Sequence, residues 1–197
     1  LQAVRTCLSG HGLDAQIELV ENRGRDILPF LRVANRLLDE GVDVVLKLHT
    51  KRSPHRSDGD EWRRELVGAI ASPERAGAIS SAFMRDPALG LVGPEGHLQP
   101  MASYWGGNAD AVAHLCARMG MPAPNPGNDA FVAGSMFWVR LEALRPLLDT
   151  PLHASEFEPE LGQLDGTLAH AIERIFVLGV LHANYRVLDA ATACRTA

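Results

Sequence analysis

Two short stretches concentrate the groups able to hold an anion. Asn22-Arg23-Gly24-Arg25-Asp26 sets a glycine between two arginines. Apolar residues on both sides place it as a loop between a strand and a helix, with Asp26 positioned as the helix N-cap. In open α/β sheets that is where ligands bind. The helix N-terminus would offer unpaired N–H groups, and an arginine would add a bidentate fork for phosphate. The same spacing also fits a capped turn with solvated arginines.

The second stretch is Lys47-Leu48-His49-Thr50-Lys51-Arg52-Ser53-Pro54-His55-Arg56, four Lys/Arg and two His with no acid among them. It follows an apolar segment, so it lies at the carboxyl edge of a strand. With the loop at Asn22 on the same edge, the two would form a site for a diphosphate or another polyanion. An exposed, solvated loop is the alternative.

Acids gather later in the chain. Glu156, Glu158 and Glu160 precede Asp165, which stands at the start of the apolar stripe Leu164, Leu168, Ala171, Ile172, Ile175 and Phe176. Asp165 reads as an N-cap worth about 1 kcal/mol or as a general base taking a proton from a hydroxyl. Glu158 and Glu160 are further candidates for that base. His170 and Arg174 form an i, i+4 pair. Trp138 and Trp105 are candidate platforms for a sugar ring, or core residues. The remaining histidines stand singly, and no P-loop, GxGxxG, GxSxG or HExxH pattern occurs.

Positioning these groups requires a sheet. Alternation predicts strands over 15–21, 42–48, 88–92, 131–139 and 185–188. Helices are expected at the start of the chain, over 26–40 with Pro29 in its first turn, from Glu61, from Ser72-Pro73, over 109–119 and 142–148, and from Asp165. Residues 15–48 thus read as a strand–helix–strand unit of about 30 residues, the mark of parallel α/β architecture. The expected fold is α/β in one domain over 1–197, with a mostly parallel central sheet flanked by helices.

Composition bounds the rest. Of 197 residues 46% are hydrophobic and 22% charged, and the formal charge is −5. These proportions fit a globular chain and argue against nucleic-acid binding through a basic body. Cys7, Cys116 and Cys194 lie far apart without metal-ligand spacing and read as reduced thiols in a cytoplasmic protein. No run of 18 apolar residues or leader pattern is seen. The first residue is not Met and the chain opens in mid-helix, which reads as a fragment of a longer protein.

In order, the segments ENRGRDILPFL (21–31), VLKLHTKRSPH (45–55), Trp62-Arg63, LGLVGP (89–94), FVAGSMFWVR (131–140) and FEPELGQLDGTLAHAIER (157–174) resemble the rhamnan synthesis protein F family of bacterial polysaccharide biosynthesis. The resemblance implies a glycosyltransferase that moves rhamnose from dTDP-rhamnose to a glycan or lipid-linked glycan. It also implies a cytoplasmic protein, peripherally associated with the inner face of the membrane. The same order is similar to a GT-A glycosyltransferase domain, in which Asn22 and Gly24 match an Asn-x-Gly loop and Asp165 matches the base. Such a domain begins with a strand, a helix and a strand that this chain lacks. His49-Thr50-Lys51 stands where the metal-binding Asp-x-Asp would be, and hard cations prefer oxygen donors.

The resulting expectation is a metal-free donor site of Asn22, Arg23, Gly24, Arg25, Asp26, His49, Lys51, Arg52 and Ser53. Asp165 is expected as base, and Trp138, Glu158, Glu160 and His170 against the acceptor. A metal held by His49 and His182 is the competing arrangement. A non-catalytic module binding nucleotide sugar or glycan is the competing function.

Overall fold

The computed structural model describes residues 2–50 and 59–195. In chain order the elements are α1 (Gln2–Gly10), α2 (Ile27–Asp39), β1 (Val44–Lys47), α3 (Gly59–Ala71), α4 (Pro73–Arg85), β2 (Leu89–Gly93), β3 (Leu98–Pro100), α5 (Ala109–Arg118), β4 (Ala130–Val132), β5 (Phe137–Arg140), α6 (Arg145–Leu148), α7 (Leu168–His182), β6 (Arg186–Asp189) and α8 (Ala190–Arg195).

Local sequence explains most boundaries. α2 carries its apolar residues at helical spacing and tolerates Pro29 because a first-turn N–H has no helical acceptor. It ends in a Schellman arrangement, with Gly41 N–H bonding Leu38 O at 3.0 Å and Val42 N–H bonding Leu37 O at 2.9 Å. Ser72 caps α4 through its hydroxyl, with Pro73 in the first turn.

Four strands form a mixed sheet in the order β1-β5-β2-β6. β5 is antiparallel to both β1 and β2, while β2 and β6 are parallel. Three strands therefore share a direction and β5 opposes them, which corrects the expectation of a mostly parallel sheet. The 131–139 segment is also two strands rather than one. β4 pairs with β3 in a separate two-stranded sheet, and the chain turns at Gly134 and Ser135 before β5 enters between β1 and β2. Apolar periodicity marks a strand but carries no information on its direction or partner.

Alternation along the strands, interrupted in β2 by a register shift between Leu89 and Leu91, builds two apolar layers. Leu91, Phe137 and Val139 face α2, α5, α6 and α7. Leu89, Val92 and Met136 face α3, α4 and α8, with Trp138 half-buried among them. Residues 15–21, expected as a strand, form none, and Leu19 and Val20 are exposed there. Arg36 of α2 instead holds that segment through Gln16 (2.7 Å) and Glu18 (2.8 Å). The final long helix opens at Leu168 under a Thr167 cap rather than at Asp165. Among the described residues no helix is long and apolar enough to cross a membrane.

Candidate functional site

Lys47, the last residue of β1, anchors the site. In a strand with period two it shares the face of Val45, which points its side chain into the apolar layer beneath α2. The residue is only 4% exposed. A buried ammonium needs compensation, and here it donates to Asp26 Oδ2, to Ser135 O at 2.7 Å and to Ser135 Oγ at 3.0 Å. The rings of Phe30 and Phe137 lie 5.4 and 5.7 Å from Nζ. Burial pushes the Asp26 carboxyl up, but the charges of Lys47 and His49 and the Lys47 hydrogen bond outweigh it and hold the group below its ordinary value. His49 Nε2 lies 2.9 Å from Gly134 O and 3.7 Å from Asp26 Oδ2, so this ring nitrogen carries a proton to make the first contact.

This network revises the sequence reading of Asp26. The residue stands at the N-cap position of α2, but its side chain makes no capping bond and serves Lys47 instead. The helix start is already satisfied, because Ile27 N–H and Leu28 N–H both bond Gly24 O, at 3.0 and 3.1 Å. Pro29 has no N–H to offer. The expected anion site of open helix N–H groups is therefore absent at these positions, and donors in the loop must come from side chains.

The loop at 22–26 is clamped to the acidic segment before α7. Arg23 donates to Phe157 O at 2.8 Å and ion-pairs with Glu21, so it is a structural clamp. Arg25 donates its backbone N–H to Glu160 Oε1 at 2.9 Å and its guanidinium to Gln163 O. Gly24 lies at φ +66°, and a Cβ there would sit 2.6 Å from Leu28 Cβ and 2.7 Å from Phe157 Cδ1. A Gly24→Ala variant must bear both backbone strain and overpacking, about 2–4 kcal/mol together. Urea unfolding of that variant checks the clamp, and an unchanged midpoint would mean that the loop gives way freely.

Between these segments opens a cleft of about 470 Å³. Its walls include Asn22, Arg25 and Asp26 from the first loop, His49 and Thr50 after β1, Ser135 before β5, and Glu160. Ala169 and Glu173, one turn apart on α7, close it. Among the described residues three non-glycine residues have positive φ, and two of them, Arg25 and Ser135 at φ 54° each, line this cleft. Strain of that kind persists where surrounding structure enforces it, and it concentrates at functional sites. Thr50 and Glu173 lie inside the stretches 47–56 and 157–174 that the sequence marks, but neither is among the expected site residues. Ser135 lies inside the segment 131–140 without being an expected site residue.

The other expected residues fall elsewhere. Glu158 accepts the Leu168 N–H at 3.0 Å and caps α7. Asp165 lies outside the cleft lining and spans to the neighbouring loop, accepting from Asn108 Nδ2 at 2.7 Å and Gly107 N–H at 3.0 Å, with Arg174 Nη2 at 3.5 Å. Desolvation raises its carboxyl, but these hydrogen bonds and Arg174 bring it below its ordinary value. Gly106 packs so closely on Asp165 that a Cβ would collide with Oδ2. Trp138 faces the α3 layer and donates to Ile70 O at 2.8 Å, and Trp105 packs on the other apolar layer. Neither is a cleft platform. Lys51, Arg52 and Ser53 lie outside the described residues. His182 is at the far end of α7, nine residues beyond Glu173 and hence about 14 Å along the axis, so His49 and His182 do not share a site. Among the described residues no cluster of three His, Cys, Asp or Glu could hold a metal ion.

His170 is buried in a reciprocal cap, its Nδ1 2.7 Å from Thr167 Oγ1 and its backbone N–H directed at the same oxygen. Burial, followed by the charge of Arg25, holds its imidazole below the ordinary value of 6.5. The unfolded chain therefore binds a proton that the folded chain refuses. Stability is full above about pH 6.5 and falls as pH drops from there toward the lowered folded value. His170→Gln is expected to flatten this slope between about pH 7 and 5.5 in urea titrations; an identical slope would assign it to other groups.

With this geometry defined, known proteins place the chain. No solved structure matches it. Two curated relatives do: "Uncharacterized protein WxcX" from Xanthomonas campestris pv. campestris strain B100, and the protein of the same name from strain ATCC 33913. Each is 59% identical over 184 residues, which are 93% of this chain but 26% of the relative. The chain thus spans about a quarter of their length. The rhamnan synthesis protein F family matches over residues 1–185, and the chain belongs to that family.

Proposed function

We propose that the chain is a glycosyltransferase domain of polysaccharide synthesis, with the cleft as its active site. The donor is a nucleotide-activated sugar, dTDP-rhamnose, and the acceptor is a hydroxyl of a glycan or lipid-linked glycan. Arg25 and His49, with Lys51, Arg52 and Ser53 following in sequence, meet the diphosphate, and Asn22 orients it. No metal is required in this scheme. Glu160 takes the acceptor proton as the acceptor oxygen bonds to the anomeric carbon, and the bond from that carbon to the diphosphate breaks on the opposite face. The leaving charge passes to the cationic wall. Glu173 stands on α7 across the cleft, where it can orient the acceptor.

The observation that carries this reading is the convergence of Arg25, His49, Ser135 and Glu160 on one polar cleft at the carboxyl end of β1. That edge is where open α/β sheets place their ligands. Membership of a family named for rhamnan synthesis points the same way. Asp165 lies outside the cleft, and its three partners, Asn108, Gly107 and Arg174, suit it to holding the start of α7 in place.

The test is calorimetric binding of dTDP-rhamnose, UDP-glucose and GDP-mannose to the full-length protein, with and without EDTA. Binding of dTDP-rhamnose unaffected by EDTA, with sugar transfer, supports the reading. Binding abolished by EDTA overturns the metal-free site, and no binding by a folded protein points to a non-catalytic module.

A further inference from the structure

An ammonium carries three hydrogens and no acceptor. At buried Lys47 these hydrogens meet Asp26 Oδ2, Ser135 O at 2.7 Å and Ser135 Oγ at 3.0 Å. The cation thus spends its donors inside the protein, and Lys47 is not among the residues that line the cleft. Ser135 does line it and is only 3% exposed. A hydroxyl has two lone pairs and one hydrogen, and lysine can only donate. Lys47 therefore occupies a lone pair of Oγ, and the Ser135 hydrogen must point elsewhere. Among the described residues no group accepts it. A buried donor without an acceptor costs free energy unless something that enters the cleft receives it.

The backbone holds this hydroxyl in place. Between β4 and β5 two consecutive residues are left-handed, Gly134 at φ 92° and Ser135 at φ 54°. Packing enforces the turn from one side, where a Cβ on Gly134 would sit 3.0 Å from Leu66 Cδ1. From the other side His49 Nε2 meets Gly134 O at 2.9 Å. A left-handed serine costs free energy, and it persists here because its surroundings allow no other turn.

From the spent donors of Lys47, the unaccepted hydrogen of Ser135 and the enforced turn that carries it, we propose that Ser135 donates its hydroxyl hydrogen to a phosphoryl oxygen of the ligand's diphosphate. The assignment rests on the reading of the cleft as a diphosphate site. The ammonium behind Oγ polarises the O–H bond and makes it a stronger donor. A phosphoryl oxygen suits such a donor, because it only accepts and its charge shortens and strengthens the bond. A sugar hydroxyl also needs an acceptor for its own hydrogen, and Lys47 already occupies one lone pair of Oγ. Ser135 is in this way the contact through which the buried charge of Lys47 reaches the ligand.

Calorimetric binding of inorganic pyrophosphate, dTDP and dTDP-rhamnose to the full-length protein tests this. Pyrophosphate reports on the diphosphate site whatever the nucleoside or sugar. Ser135→Ala is expected to weaken all three by a common factor of about 10–100. Ser135→Gly removes the same hydroxyl and tolerates φ 54°, so it is expected to show the same loss and carries the test if the alanine variant does not fold. Undiminished pyrophosphate affinity in either folded variant overturns the proposal. So does a loss confined to dTDP-rhamnose, which would assign the hydroxyl to the sugar. Losses that differ between folded alanine and glycine variants would assign the effect to the backbone of the turn and overturn it as well. Pyrophosphate binding that depends on Ser135, in a protein that transfers no sugar, supports the contact and overturns only the transferase reading. A folded wild-type protein that binds none of the three overturns both.

Discussion

Lys47→Met is expected to lower the unfolding free energy by about 3 kcal/mol, the lower end of the cost of breaking a buried ion pair. Methionine fits the channel between Phe30 and Phe137 that the lysine stem occupies. It leaves Asp26 without its main counter-charge, and Ser135 O and Oγ without their donor. The cost stays at the lower end because the Asp26 side chain keeps 25% exposure and His49 nearby. Asp26→Asn instead removes the counter-charge of the ammonium, the less exposed of the two groups, and leaves it its hydrogen bonds to Ser135. A double variant is expected to lose clearly less than the sum of the single losses. Strictly additive urea midpoints would sink the pairing.

The same pair sets a pH window. The folded Asp26 carboxyl lies below its ordinary value of 3.8, so its stabilisation is fully present above that value and is lost as pH falls through the lowered one. The penalty of Lys47→Met is therefore expected to be constant near neutrality and to shrink only in strong acid. A penalty that changes near neutrality would mean that a group other than Asp26 sets it.

The elements around this site differ in how plainly the sequence announces them. α2 and β1 follow from apolar spacing, an early proline and a terminal glycine, all local signals. Lys47 could not be read in that way, since a lysine closing an apolar strand looks like the first residue of a solvated loop. Its burial depends on β5 and α2 both arriving, 88 residues later and 21 earlier in the chain. The same holds for the clamp between Arg23 and Phe157, separated by 134 residues. Asp165 was legible as an acid before a helix. The helix begins three residues further on at Leu168, under the Thr167 cap, however, and the glycine pair Gly106-Gly107 that receives the carboxylate lies in a loop whose position no local pattern reveals. The extended segment 15–21 has the alternation of a strand but no partner strand among the described residues, which is why pattern alone overstated it.

Glu160→Gln is expected to lower kcat by about 10²–10⁴-fold with donor affinity nearly unchanged. The substitution is conservative in shape. The amide oxygen still accepts the Arg25 N–H that Glu160 Oε1 accepts at 2.9 Å, so the loop and its strained backbone stay in place. What is lost is the ability to take a proton from the acceptor hydroxyl, and that loss falls on the chemical step. Asp165→Asn separates the alternatives. Asn108 Nδ2 and Gly107 N–H meet different carboxylate oxygens, and asparagine replaces one of these with an NH2, so one donor loses its acceptor, at about 1–2 kcal/mol. If Asp165 only positions α7, its variant unfolds earlier and loses activity in proportion to the displaced loop, while the pH profile of kcat keeps its acidic limb. If Asp165 is the base, that limb disappears, turnover collapses in a protein that still binds donor, and Glu160→Gln remains active. Measuring both pH profiles on the full-length protein therefore decides which carboxylate receives the proton, because Glu160 lines the cleft while Asp165 lies outside it, against the loop at Gly107 and Asn108.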